Sequence, residues 1–260
     1  MKTAIVIGAT GLVGKILVNT LLADNRYQTI KVFARKPTGF YHPKLEEHIV
    51  DFDNIEKWKY NITGEELFSA MGTTIRKAKS KSAQYRVDVT YQYEVAKAAS
   101  ENGVKSYFLV SSSGANLNSK LFYLRIKGEL DEKVQQLSFT KIRIMRPSLL
   151  LGERPEKRFG EKAAEQILKI VVPLFPFLKN QRPIEAEKVA NAMIALANDS
   201  DTEKNKIFEL PDISNLTKNN STLPTCALLY SHQNFLIFCF QLIEDLLSHL
   251  SCAAENHLPK

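Results

Sequence analysis

Tyr123 and Lys127 stand four residues apart in Leu121 to Leu137, a stretch whose apolar spacing predicts a helix. That interval puts a phenol and an ammonium on one helical face. An isolated phenol titrates at about 10, too high for useful proton exchange near neutrality. A neighbouring Lys cation favours phenolate and is expected to lower that value, fitting Tyr123 for general acid/base work on a carbonyl or an alcohol. Upstream, Ser111-Ser112-Ser113-Gly114 closes an apolar run, and a hydroxyl there could hydrogen-bond a substrate oxygen. Spacing alone leaves open which of the three serines would act. A tyrosine and a lysine at this interval are often only a surface pair. Their company in the chain is what gives them weight.

That company begins near the N-terminus, where Gly8-Ala9-Thr10-Gly11-Leu12-Val13-Gly14 separates a predicted strand, Thr3 to Ile7, from a predicted helix, Leu12 to Ala23. Gly8 permits the sharp turn, Gly11 lets backbone approach a pyrophosphate, and Gly14 lets the helix pack closely on the sheet. The amides at the helix mouth then face the anion, aided by the helix dipole. The second predicted strand, Ile30 to Ala34, runs into Arg35-Lys36, where an NAD-selective site would carry a carboxylate for the ribose hydroxyls. Two cations there suit a 2′-phosphate, so the expected cofactor is NADP(H). Asp51 and Phe52, after the third strand, are placed to meet the adenine edge and face. Met71-Gly72-Thr73-Thr74, after the fourth, would border the nicotinamide ribose, which Lys127 could also hold.

The elements that must position these residues alternate as strand and helix over the first two hundred residues, the pattern of a doubly wound parallel sheet of Rossmann type with helices on both faces. Further strands are predicted at Glu47 to Val50, Glu66 to Met71, Ser106 to Val110, Lys141 to Met145 and Ile207 to Leu210. A long helix is predicted over Ser82 to Glu101, stopped by Asn102-Gly103. Residues 1–212 read as one dinucleotide-binding body, in which 148–198 is expected to form a small substrate and lid region. Within that region Glu161 to Val172 and Glu185 to Ala197 look helical, and the apolar run Ile167 to Leu178 suggests a lid. Residues 213–260 differ, with five charged residues against 58 in the preceding 212, and read as an atypical tail. Leu236 to Leu250 could form an apolar-faced helix there, but Glu244 and Asp245 interrupt any run able to span a bilayer.

Composition narrows the function classes. An apolar fraction of 44% and a charged fraction of 24% are those of an ordinary globular chain. The net charge of +7 is read as a solvated basic surface plus a pocket for a phosphorylated cofactor, because the cations form no run with interleaved aromatics; nucleic acid is not an expected partner. Cys226, Cys239 and Cys252 match neither a zinc site nor a redox pair, and no His, Asp and Glu cluster suggests a metal. His42 and His48 read as surface residues. Glycines break the apolar stretch after Lys2, so no secretory signal is recognised and the cytoplasm is the expected compartment.

With the glycine cradle, the serine-tipped strand and Tyr123/Lys127 together, the chain resembles the short-chain dehydrogenase/reductase superfamily. More narrowly, Leu67 to Thr74, Ser111 to Ala115, Leu121 to Glu129 and Arg146-Pro147 resemble the Tat-interacting-protein-like branch of its atypical members, over about residues 1 to 212. The eleven-residue step from Ser112 to Tyr123 agrees with that branch. The resemblance implies NADPH binding, with Tyr123, Lys127 and Ser112 in the catalytic places, Ser113 as rival to Ser112, and Pro147 among the cofactor-binding residues. It implies an NADPH-dependent carbonyl reductase acting on a small carbonyl or alcohol substrate. The alternatives are an NADPH-binding regulatory or scaffold protein with little turnover, and an isomerase using transient hydride transfer.

Overall fold

In the computed structural model, residues 1–152 and 183–218 are described. The expected helix at Glu161 to Val172, the apolar lid and the tail from residue 219 onward, with all three cysteines, lie outside the described residues.

Seven parallel strands form one sheet in the order β3-β2-β1-β4-β5-β6-β9. They are β1 (Lys2–Ile7), β2 (Tyr27–Ala34), β3 (Leu45–Ile49), β4 (Glu66–Ser69), β5 (Ser106–Val110), β6 (Lys141–Arg146) and β9 (Asn205–Glu209). A separate parallel pair, β7 (Leu150–Leu151) and β8 (Ile184–Glu185), lies beyond β6 in the chain. Alternation in β1 explains why the sheet is covered twice. Ala4 and Val6 enter one core with Phe68 and Phe108, while Ile5 and Ile7 enter the other with Leu67, Tyr107 and Leu109. Helix α1 (Leu12–Ala23) covers the first face with α6 (Ala186–Ala197), burying Val13, Leu17, Val18 and Leu21. On the second face lie α4 (Tyr91–Glu101) and α5 (Phe122–Gln135), which follow the short helices α2 (Ile75–Ala78) and α3 (Lys81–Tyr85).

Three expectations change. The helix expected over Ser82 to Glu101 begins at Lys81 and is not uniform: α3 passes through a π turn, Arg86–Thr90, before continuing as α4. Helix α6 is not lid material, because Val189, Ala190, Ala192 and Met193 are fully buried in the core shared with α1. The body also runs past residue 212: α7 (Leu210–Lys218) continues directly from β9, and its Ile213 is fully buried.

The strand order reverses between β1 and β4, and a crevice opens at the carboxyl ends of parallel strands where this happens. The Gly8 turn, Gly72 and Thr73 all follow those two strand ends.

Candidate active site

Sterics shape the turn after β1. Gly8 has φ of +81°, and a Cβ there would lie 2.5 Å from the Ala70 and Met71 backbone. A Cβ on Gly14 would lie 2.1 Å from the Gly8 carbonyl oxygen, so only glycine lets α1 start this close to the strand. The Gly11 amide donates to the Gly8 oxygen at 2.9 Å and closes the turn. No side chain caps α1 and no acidic residue sits in its first turn, leaving its positive end open to an anion. The amides of Leu12, Val13 and Gly14, with the exposed Thr10, are the groups that could hold a diphosphate; the Val13 side chain itself belongs to the core. This cradle fits a dinucleotide because the space that side chains would fill is kept clear.

Arg35 and Lys36 stand exposed just past β2, and neither forms an ion pair with the described residues. Asp51 and Phe52 both have partners within the fold. Asp51 accepts from the Asp53 amide at 3.0 Å and so starts a 3-10 turn, Phe52–Lys57. The Phe52 ring is buried, 5.4 Å from Trp58 and 5.5 Å from Tyr91 between centroids. Its face is spent on the core. His48 is likewise no simple surface residue, since it stacks on Phe33 at 4.6 Å with its Nε2 buried and unpartnered.

The serines after β5 and the start of α5 meet. Ser112 lies close enough to Tyr123 to lower its phenol, and the Ser112 hydroxyl donates to the Ser113 carbonyl oxygen at 3.3 Å. The Ser113 amide is tied to the buried Pro147, donating to its carbonyl at 2.9 Å. Lys127 Nζ lies 6.0 Å from the Tyr123 ring centroid, so Ser112, Tyr123 and Lys127 form one group.

A fourth member was missed from sequence. Asp88, in the π turn, places Oδ1 2.8 Å from Lys127 Nζ, with both side chains almost wholly buried. Its other oxygen accepts from the Thr73 amide at 3.2 Å, and Gly72 borders the pair, 3.4 Å from Asp88 Oδ1 to a Cβ built there. Single-residue π insertions occur often at functional sites, and here one carries the carboxylate. The available signal was position: Asp88 precedes Gln92, Val95 and Ala99 at helical spacing, which puts an acid on an otherwise buried face.

Lys127 lowers the phenol as expected, but the net shift is upward. Burial pushes the Tyr123 phenol above its ordinary value; Lys127 pulls it down, but Asp88 works against Lys127. Burial penalises the Lys127 ammonium, yet Asp88 and Tyr123 hold its titration above the usual lysine value. Burial likewise raises the Asp88 carboxyl, against the pull of Lys127.

A family model described as NAD(P)H-binding matches residues 8–200. The chain belongs to this NAD(P)H-binding family of atypical short-chain dehydrogenases/reductases. Among relatives of this family, "Protein FMP52, mitochondrial" of Debaryomyces hansenii is 35% identical over 206 residues, 77% of this chain and 90% of that one. "Protein HTATIP2" of Rattus norvegicus is 32% identical over 169 residues, 64% of this chain and 69% of that one. A solved short-chain dehydrogenase/reductase superfamily protein from Agrobacterium tumefaciens with bound NAD shares the fold at a TM-score of 0.63 and 15% identity, covering 98% of this chain and 100% of its own. Among the described residues, no helix of this family member is long and apolar enough to cross a membrane, and no group of three or more His, Cys, Asp and Glu residues could hold a metal.

Proposed function

We propose that the chain is an NADPH-dependent oxidoreductase that reduces a small carbonyl compound. The observation that carries this reading is the convergence of Ser112, Tyr123 and Lys127 at the sheet edge where the glycine cradle opens. The helix mouth at Leu12, Val13 and Gly14 holds the diphosphate, Arg35 and Lys36 hold the 2′-phosphate, and Gly72, Thr73 and Lys127 border the nicotinamide ribose. Bound NADPH supplies the hydride. Ser112 orients the carbonyl oxygen by a hydrogen bond, and Tyr123 gives that oxygen its hydroxyl proton. A phenol, whose ordinary value is about 10, is protonated at neutral pH, the state that reduction requires. Lys127 keeps a positive charge beside the phenolate left behind, and Asp88 keeps Lys127 charged and in place.

Tyr123→Phe tests the reading. NADPH oxidation with aldehydes, ketones or quinones should fall about a hundredfold or more, while fluorescence titration shows NADPH affinity retained. Unchanged turnover in Tyr123→Phe would remove the phenol from the reaction. The compartment is proposed as the cytoplasm; the fungal relative's name carries the word mitochondrial, and cell fractionation separates the two.

A further inference from the structure

A polar side chain is completely buried where packing alone would call for an apolar one. Gln92, in the first turn of α4, has no exposed surface, like Val95 and Ala96 one turn on. An amide taken out of water costs free energy unless its polar atoms are bonded, so what Gln92 bonds matters more than what it packs against. Both ends are engaged. Its Nε2 donates to the Asp88 carbonyl oxygen at 2.8 Å, and its Oε1 accepts from the Ser69 hydroxyl at 2.7 Å. A backbone carbonyl can only accept, so the end that meets Asp88 must be the nitrogen. Ser69 is itself fully buried and ends β4, paired with Ile7 of β1 on one side and Leu109 of β5 on the other. A tie thus runs from the middle of the sheet through Gln92 to the backbone of the π turn.

That turn competes with a regular helix. The Tyr91 amide donates to the Arg86 carbonyl five residues back, where an α-helix would reach four. Reverting to the regular spacing would re-aim the residues of the turn relative to α4, by up to about 100°. What the turn presents is used twice. Asp88 Oδ1 meets Lys127 Nζ at 2.8 Å, and Oδ2 accepts from the Thr73 amide at 3.2 Å. Thr73 is held again from α3, where the buried Gln84 donates to its carbonyl oxygen at 3.4 Å. The aim of Asp88 therefore sets both the lysine that follows Tyr123 and the segment that follows β4.

We propose that Gln92 and Ser69 are positioning residues, which hold the π turn so that Asp88 meets Lys127 with one oxygen and the Thr73 amide with the other. The contacts stand by themselves; their consequence for proton transfer rests on the oxidoreductase reading. The test is NMR hydrogen exchange on the full chain, read at the Thr73 amide, which lies on a different segment from Gln92. In Gln92→Met, which fills similar space without the amide, Thr73 should exchange roughly tenfold faster while Leu17 and Val18 in α1 keep their native rates. Ser69→Ala keeps the amide but frees it to turn, and should give a smaller change in the same direction. It decides the matter if Gln92→Met does not fold. Native protection at Thr73, or faster exchange at all three sites alike, overturns the proposal.

The reaction supplies a second readout. The charges acting on the Tyr123 phenol are Lys127 and Asp131 of α5 and Asp88 of the π turn, and of these only Asp88 is bonded to Gln92. The kcat/KM profile should decline at lower pH in Gln92→Met, and D88N/Q92M should decline where Asp88→Asn alone does. A profile unmoved by Gln92→Met, or moved further in the double variant, overturns positioning through Asp88. If the native chain oxidises no NADPH, the oxidoreductase reading falls and Thr73 exchange alone decides the inference.

Discussion

Asp88 holds Lys127 at 2.8 Å beneath Gly72, making a buried ion pair of the lysine that follows Tyr123 by one helical turn. Removing only the carboxylate leaves a cation without its counter-charge. Asp88→Asn should therefore cost about 3 kcal/mol in urea unfolding, and the D88N/K127M double variant should be less destabilised than the single effects added together. Because the folded lysine titrates above its unfolded value, this stabilisation is complete below the ordinary lysine value and is lost as pH rises through the raised one.

The same variant changes the pH profile. Asp88 raises the Tyr123 phenol and Lys127 lowers it, so Asp88→Asn shifts the phenol down. Reduction needs the protonated phenol, and its rate should decline at lower pH in the variant than in the native chain. A kcat/KM profile unmoved by the substitution would sever Asp88 from Tyr123.

Arg35 and Lys36, exposed beside the end of β2, should decide which nucleotide is preferred. The native chain should prefer NADPH clearly in fluorescence titration. In R35S/K36S, NADPH affinity should fall by about tenfold or more with NADH affinity unchanged. Equal native affinity for both nucleotides refutes the role.

Gly14→Ala forces a methyl to within 2.1 Å of the Gly8 oxygen unless the helix retreats. It should cost about 1–3 kcal/mol in stability and weaken both nucleotides alike, since it disturbs the diphosphate cradle and not the ribose end. Thermal melting and nucleotide titration check the two halves.

His48 predicts acid sensitivity. Burial against Phe33 holds its imidazole below the ordinary value of 6.5, so the fold favours the neutral form. The unfolded chain then takes up the proton first: the contribution is complete above about 6.5 and is lost as pH falls toward the folded value. His48→Gln should flatten the acid side of the melting-temperature profile. An unchanged slope would assign that sensitivity elsewhere.

The sequence by itself determined the local features. Strand, glycine turn and helix at residues 2–23 could be read because apolar periodicity and the glycine positions are properties of neighbouring residues, and the order of alternating elements then implies a parallel sheet. Tyr123 and Lys127 were legible for the same reason, lying one turn apart on α5. Tertiary structure alone decided what depends on distant partners. Asp88 meets Lys127 across 39 positions, Phe52 packs its ring against Tyr91, and Lys81 reaches Phe122 across 41 positions. Burial decided the sign at Tyr123 as well: an adjacent lysine argues for a lowered phenol, but desolvation and a second, opposite charge outweigh it, and neither can be seen until the chain has folded.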